Sequence, residues 1–267
     1  MTVTLIVAVG ALILGVVANR LLHRRVLGED SEGFSVRDLV APMQTLTILL
    51  LAFVLAMAAN SNGNADEAAR TEAGVVDHMY EVAEYAPPAD RQRLQADVVC
   101  YARAVQNVEW PDLAHGHGSS VPSIWTTDLR LQLKKEAGDA GPAFGMLVSA
   151  DDARSKARDT RVAESTPAIP STIYWFMLVT LALTVIALGL CLPRKNNRPQ
   201  LVTLLVITAL LTSALLIIRD IERPFNGWVK VGPSAITATV HEDARDFQKA
   251  YGADQLPCDD NGRPKAA

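Results

Sequence analysis

The sequence predicts an all-α membrane protein: four transmembrane helices, a helical extramembrane insert between the second and third, and a helical C-terminal tail. Hydrophobic residues are 49% of the 267 and charged residues only 20%. Four windows, Thr2–Asn19, Leu39–Ala65, Ser165–Pro193 and Pro199–Ile218, hold no Asp, Glu, Lys or Arg, so all 25 basic and 29 acidic residues fall outside them. A bilayer core about 30 Å thick needs roughly 20 apolar residues of helix, and a charge at its centre costs about 3 kcal/mol. Four charge-free windows of that length are hard to reconcile with a soluble core.

The spans read as Thr2–Ala18, Leu39–Ala59, Ile173–Leu192 and Leu201–Ile218. A cleaved signal peptide is the alternative for the first. It fits poorly, because Arg20, Arg24 and Arg25 follow the apolar run instead of preceding it. The domains are 1–59, the first two spans with their basic loop; 60–172, the insert; 173–218, the last two spans; and 219–267, an amphipathic helix and tail expected to pack on the insert. Short loops rich in Lys and Arg stay in the cytoplasm. Loop 19–38 carries Arg20, Arg24, Arg25 and Arg37, and loop 193–200 carries Arg194, Lys195 and Arg198. The insert has 17 acidic residues against 11 basic ones. Both termini and the insert are therefore expected outside the cytoplasm.

Within the insert, Ala65–Ala86 has helix-forming composition and ends at Pro87-Pro88. Asp90 is placed to cap the next helix, on which Leu94, Val98, Tyr101, Val105 and Val108 form one apolar stripe ending at Trp110-Pro111. Residues 114–123 read as a flexible loop. Leu129, Leu131 and Leu133 alternate, which leaves a short strand as an alternative there. Ser149–Glu164 is charged with little apolar periodicity, so it reads as a solvated helix or a tether. In the tail, Pro224-Phe225-Asn226-Gly227 reads as a turn. Ser234 is placed to cap a last helix that carries Ile236, Val240, Ala244, Phe247 and Tyr251 on one face and ends at Gly252.

The side chains offer little chemistry. His115 and His117 sit in a Gly/Ser loop without Cys or spaced carboxylates, so an exposed loop outweighs a metal site. His78 and His241 read as surface residues. Glu72, Glu81, Glu84, Asp97 and Glu109 read as a solvated acidic face. No phosphate-binding loop, nucleophile elbow or metalloprotease motif occurs, so no enzyme, metal or other cofactor is expected, and nothing suggests nucleic acid. The spans lack the ionisable residues of ion-coupled transport. The second span is the most suggestive, and Gln44, Thr47, Leu50 and Phe53 are its candidate pore-lining residues, because an apolar lumen can gate by dewetting. Lipid-facing and helix-packing surface is the competing reading for each. Of three cysteines, Cys191 ends the third span on the expected cytoplasmic side. Cys100 and Cys258 then share the oxidising side and form a disulfide, or else are two unrelated thiols.

The segments Cys100-Tyr101-Ala102-Arg103, Glu109-Trp110-Pro111 and Asp220-Ile221-Glu222-Arg223-Pro224-Phe225-Asn226-Gly227, with the order of two spans, insert and two spans, resemble the bestrophin-like membrane family of bacteria. Arg223, Pro224, Phe225 and Gly227 are the family turn motif. The resemblance implies a homo-oligomer in the bacterial inner membrane, surrounded by lipid, with anion conduction as its activity. The chain lacks the acidic run of the bestrophin calcium clasp and, beyond Phe53, an aromatic cluster in the second span. Bestrophins keep their insert in the cytoplasm, opposite to the orientation that both short loops indicate. Two functions follow as expectations: an ion channel lined by the second span, or a non-conducting envelope protein whose extracytoplasmic helices bind an unknown protein partner or sense a condition.

Overall fold

A computed structural model describes residues 1–26, 36–136, 142–192 and 198–265. The chain is all-helical through these residues, in the order α1 (Thr2–Val26), α2 (Val36–Ala83), α3 (Pro88–Ala104), a π-helical turn (Val105–Glu109), α4 (Trp110–Leu113), α5 (Val121–Glu136), α6 (Pro142–Ala163), α7 (Ser171–Leu190), α8 (Arg198–Ile221) and α9 (Ser234–Tyr251). Helices α1, α2, α7 and α8 are long and apolar enough to cross a membrane. Much of the basic loops that set the expected orientation lies outside the described residues. Two compact units form, Met1–Asn60 with Ala168–Glu222 and Ser61–Pro167 with Arg223–Ala267.

In the first unit, α1 presents Thr4, Ala8, Ala11, Gly15 and Asn19 as one buried stripe. Helices in lipid gain little from burying oil against oil, so they associate through small residues that bring backbones together. At Gly15 the approach is extreme: a Cβ on Gly189 of α7 would lie 2.9 Å from the Gly15 Cα. Asn19 Nδ2 donates to the carbonyls of Gly189 and Leu192, at 3.1 and 2.8 Å, tying the same end of α1 to the end of α7. Met177, Leu178, Leu181 and Val185 of α7 complete the core with Leu51 and Val54 of α2 and Leu211, Leu215 and Ile218 of α8. The outer surface is apolar too: Ile6, Val9, Ile13, Phe176, Val179 and Leu210 are all exposed, as lipid-facing residues are.

The second unit is built around α3, which is buried from Leu94 to Ala102. Several expectations are corrected there. Helix α2 does not stop at Ala59; Asn60–Asn64 offers no proline to break it, and one helix of 48 residues runs to Ala83. Asp90 and Ser234 do not cap their helices: Pro87 and Pro233 hold the N-cap positions. Leu129, Leu131 and Leu133 lie on α5. Their alternation is incidental, since Trp125, Leu129 and Leu133 follow the helical period into the core while Leu131 is exposed. The loop after Leu113 ends at Ser120, and Val121 already belongs to α5.

The apolar stripe of α3 holds through Val105 and then shifts by one residue. A π-helical turn inserts an extra residue per turn. Val105–Glu109 is such a turn, so Val108 is only half-buried and Glu109 takes the core position. The segment read as a solvated helix or tether is the packed helix α6, whose buried face carries Leu147, Asp151, Arg154, Ala157 and Arg161. Its apolar periodicity is faint because charged residues occupy that face and find partners inside.

Candidate functional site

Helix α2 carries the four residues that the sequence offers as a pore lining. One residue of α-helix turns about 100°, so residues three apart drift by about 60°. The series Gln44, Thr47, Leu50 and Phe53 therefore sweeps half-way round the helix, and the structure does not bring it to one face. Thr47 is buried, its Oγ1 2.9 Å from the Met43 carbonyl and 2.8 Å from Thr184 Oγ1 of α7. Gln44 and Leu50 are half-buried. Phe53 is 65% exposed, and Leu46, Leu49 and Met57 share its face. Thr47, Leu51, Val54 and Ala58 make the opposite, buried side. The result is an apolar ribbon of large side chains standing clear of their own chain.

Missed at the sequence level is a buried ionic cluster in the second unit. Glu72, Asp97 and Glu109 are not on a solvated face; they are 1%, 1% and 0% exposed, whereas Glu81 and Glu84 do face solvent. Arg161 of α6, itself fully buried, donates from Nε to Glu72 at 2.6 Å and from Nη2 to Glu109 at 2.5 Å. Arg158 donates to both Glu109 oxygens, and the Ser119 amide donates to one of them. Tyr101 donates its hydroxyl to Glu72. Arg154 lies over the Tyr101 ring and Arg161 over that of Trp110. Burial alone would raise the Glu109 carboxyl, but hydrogen bonds and charge from Arg158 and Arg161 hold it below the ordinary carboxylate range. The nearest sequence signal was charge spaced at helical period on α6, which looks the same on a solvated helix.

Two other carboxyls go the opposite way. Burial pushes Asp243 of α9 up to about 9, reinforced by Asp77, Glu242 and Asp246. Burial and the Asp128 charge push Asp97 up to about 8 against Arg93 and a hydrogen bond from Gln132. Both are therefore held well above the ordinary range of an aspartate carboxyl.

The tail is clamped on α3. Cys100 and Cys258 are bonded, with Cα atoms 5.8 Å apart. Asn107 Nδ2 donates to the Asp260 carbonyl at 2.8 Å and Trp125 Nε1 to the Gly262 carbonyl at 2.7 Å. Gly262, at φ +73°, passes so close that a Cβ would sit 2.2 Å from the Ala104 amide nitrogen. In the turn motif, Phe225 is buried edge-on to Trp110 with ring centroids 5.6 Å apart, Pro224 is buried, Arg223 is exposed and Gly227 has φ +109°. His115 and His117 are exposed, and no group of three or more His, Cys, Asp or Glu able to hold a metal occurs among the described residues. His78 and His241 are exposed as well.

Comparison with known proteins places this geometry. The sequence matches the Bestrophin-like domain over residues 5–236. The fold is similar to crystal structures of a bacterial bestrophin homolog from Klebsiella pneumoniae. A tyrosine-to-alanine variant of that protein superposes with a TM-score of 0.70 at 11% identity, covering 92% of this chain and 98% of its own. A tryptophan-to-alanine variant superposes with 0.66 at 13% identity, covering 91% and 97%. No curated protein matches the chain.

Proposed function

Because this chain belongs to the bestrophin-like family, we propose that it assembles as a homo-oligomer around an axis and forms an ion channel through the bacterial inner membrane, with α2 lining the pore. The observation that supports the reading is the exposed ribbon Leu46, Leu49, Phe53 and Met57, four large apolar side chains that their own chain leaves uncovered. A constriction of that kind excludes water and ions until it widens, without any charge. Leu50 stands at the edge of this face, Gln44 lies on the opposite side of the helix from Phe53, and Thr47 belongs to the packing with α7.

Anion conduction is the activity borrowed from the family. The excess of acidic over basic residues in the insert argues against a strongly anion-attracting vestibule. The Cys100–Cys258 pairing supports an insert on the oxidising, extracytoplasmic side, in agreement with the basic short loops and opposite to the bestrophin arrangement. The reading is tested by reconstituting the purified oligomer in a planar bilayer with a salt gradient. A current whose reversal potential identifies the permeant ion supports it. Silence from folded oligomer favours a non-conducting envelope protein that binds a partner.

A further inference from the structure

Within the membrane unit, α2 is held mostly by apolar side chains: Leu51, Val54 and Ala58 pack in the core formed with α7 and α8. Such contacts restrain a helix weakly in a bilayer, because lipid tails are as apolar as the side chains they would replace. One contact is of another kind. Thr47 Oγ1 and Thr184 Oγ1 of α7 lie 2.8 Å apart, and both residues are buried. Among the described residues, no other side-chain hydrogen bond joins residues 40–60 of α2 to another helix.

The two hydroxyls can separate without stranding a polar group in hydrocarbon. Each carries one hydrogen, and each has a carbonyl of its own helix within reach: Met43 for Thr47 at 2.9 Å and Thr180 for Thr184 at 2.8 Å. Together, one hydroxyl donates across to the other, which donates to its own carbonyl. Apart, each donates to its own carbonyl. Two bonds are made either way, so the contact is directional and easily reversed. What it fixes is the setting of α2 about its own axis, since Thr47 lies about 120° round the helix from Phe53. Beside the bulky ribbon of Leu46, Leu49, Phe53 and Met57 runs a second exposed stripe, the small residues Thr45, Ala52 and Ala56, about a quarter turn away. A turn that brought the small stripe to where the ribbon stands would carry Thr47 away from Thr184.

We propose that the Thr47–Thr184 hydroxyl pair is a catch that holds α2 with its bulky ribbon towards the lumen, the shut setting, and that its release lets the helix turn its small stripe inward and widen the pore. The inference rests on α2 lining the pore. The test is single-channel recording at one fixed voltage from the full-length protein reconstituted in planar bilayers. Thr47→Val and Thr184→Val should each raise the ratio of open to shut time about threefold, the usual measure of one interhelical hydrogen bond in lipid, and leave unitary conductance as in the parent. The double valine variant should match either single one, because the same bond is lost in all three. Thr47→Ser keeps the hydroxyl and should keep the parent ratio; a raised ratio there would overturn the assignment to the hydroxyl. An unchanged or lowered ratio in the valine variants overturns the catch while the channel stands, and so do effects that add in the double variant. A changed unitary conductance overturns it too, since Thr47 would then stand in the lumen. Silence from the folded parent oligomer overturns the channel reading, and this inference with it. Should Thr47→Val fail to assemble, Thr184→Val gives the same decision.

Discussion

Arg161 and Glu72 lie 89 residues apart and form an ion pair with neither side chain open to solvent. Removing Glu72 takes away one of the two carboxylates that replace water around the buried Arg161 and leaves the Tyr101 hydroxyl without its acceptor. Glu72→Ala is expected to lower stability by about 3–5 kcal/mol. The double change Glu72→Leu with Arg161→Met should recover much of that loss, because Glu109 keeps Arg158. Thermal unfolding in detergent measures both, and a single variant as stable as the parent would show the pair to be dispensable.

Gly15 and Gly189 fix how closely α1 and α7 approach. Gly189→Ala forces a methyl group into the Gly15 backbone and is expected to cost about 1–3 kcal/mol. Gly10→Ala is the control, since nothing lies within 4 Å of a Cβ there. Equal melting temperatures for the two variants would contradict the packing described.

Asp243 gives stability a definite slope with pH. Its folded pKa of about 9 lies above the ordinary 3.8, so between those values the folded state binds more protons than the unfolded chain. Its contribution is fully present below about pH 4 and is lost as pH rises towards 9. Asn cannot ionise, so Asp243→Asn should raise the melting temperature at pH 8 and change little at pH 4. Asp97→Asn should do the same with a midpoint nearer 8. Glu109 has the opposite sign, and its contribution disappears in acid. A gain from Asp243→Asn at pH 4 as large as that at pH 8 would rule the titration out.

The spans were legible because a bilayer imposes a length and a charge rule that composition alone satisfies. So was α9, whose Ile236, Val240, Ala244 and Phe247 are buried as their spacing requires, with Tyr251 half-buried. The buried ion pairs were not, since Glu72, Glu109 and Arg161 come from three separate segments and each resembles a surface residue in its own helix. The shift from Val108 to Glu109 was hidden too, because a π-helical turn has no residue signature that an α-helical period can find. Gln44, Thr47, Leu50 and Phe53 do not share one face of α2, because steps of three around an α-helix drift by about 60° each.

Orientation and the disulfide stand together. Peptide mapping without reductant, on protein from its native membrane, is expected to recover Cys100 joined to Cys258. Closing a loop of 158 residues is worth about 5 kcal/mol in the chain-entropy account, so reduction should lower the melting temperature sharply. A membrane-impermeant reagent should label Ser119→Cys in intact cells and leave Asn196→Cys unlabelled. The reverse pattern, with free thiols at 100 and 258, would restore the bestrophin orientation.

The channel itself is tested most directly at Phe53. In reconstituted protein, Phe53→Ala is expected to raise single-channel conductance several-fold, by removing the largest side chain from an apolar constriction. Ile13→Ala, on the exposed face of α1, should leave conductance unchanged. Equal conductance for Phe53→Ala and the parent would contradict α2 as the pore wall.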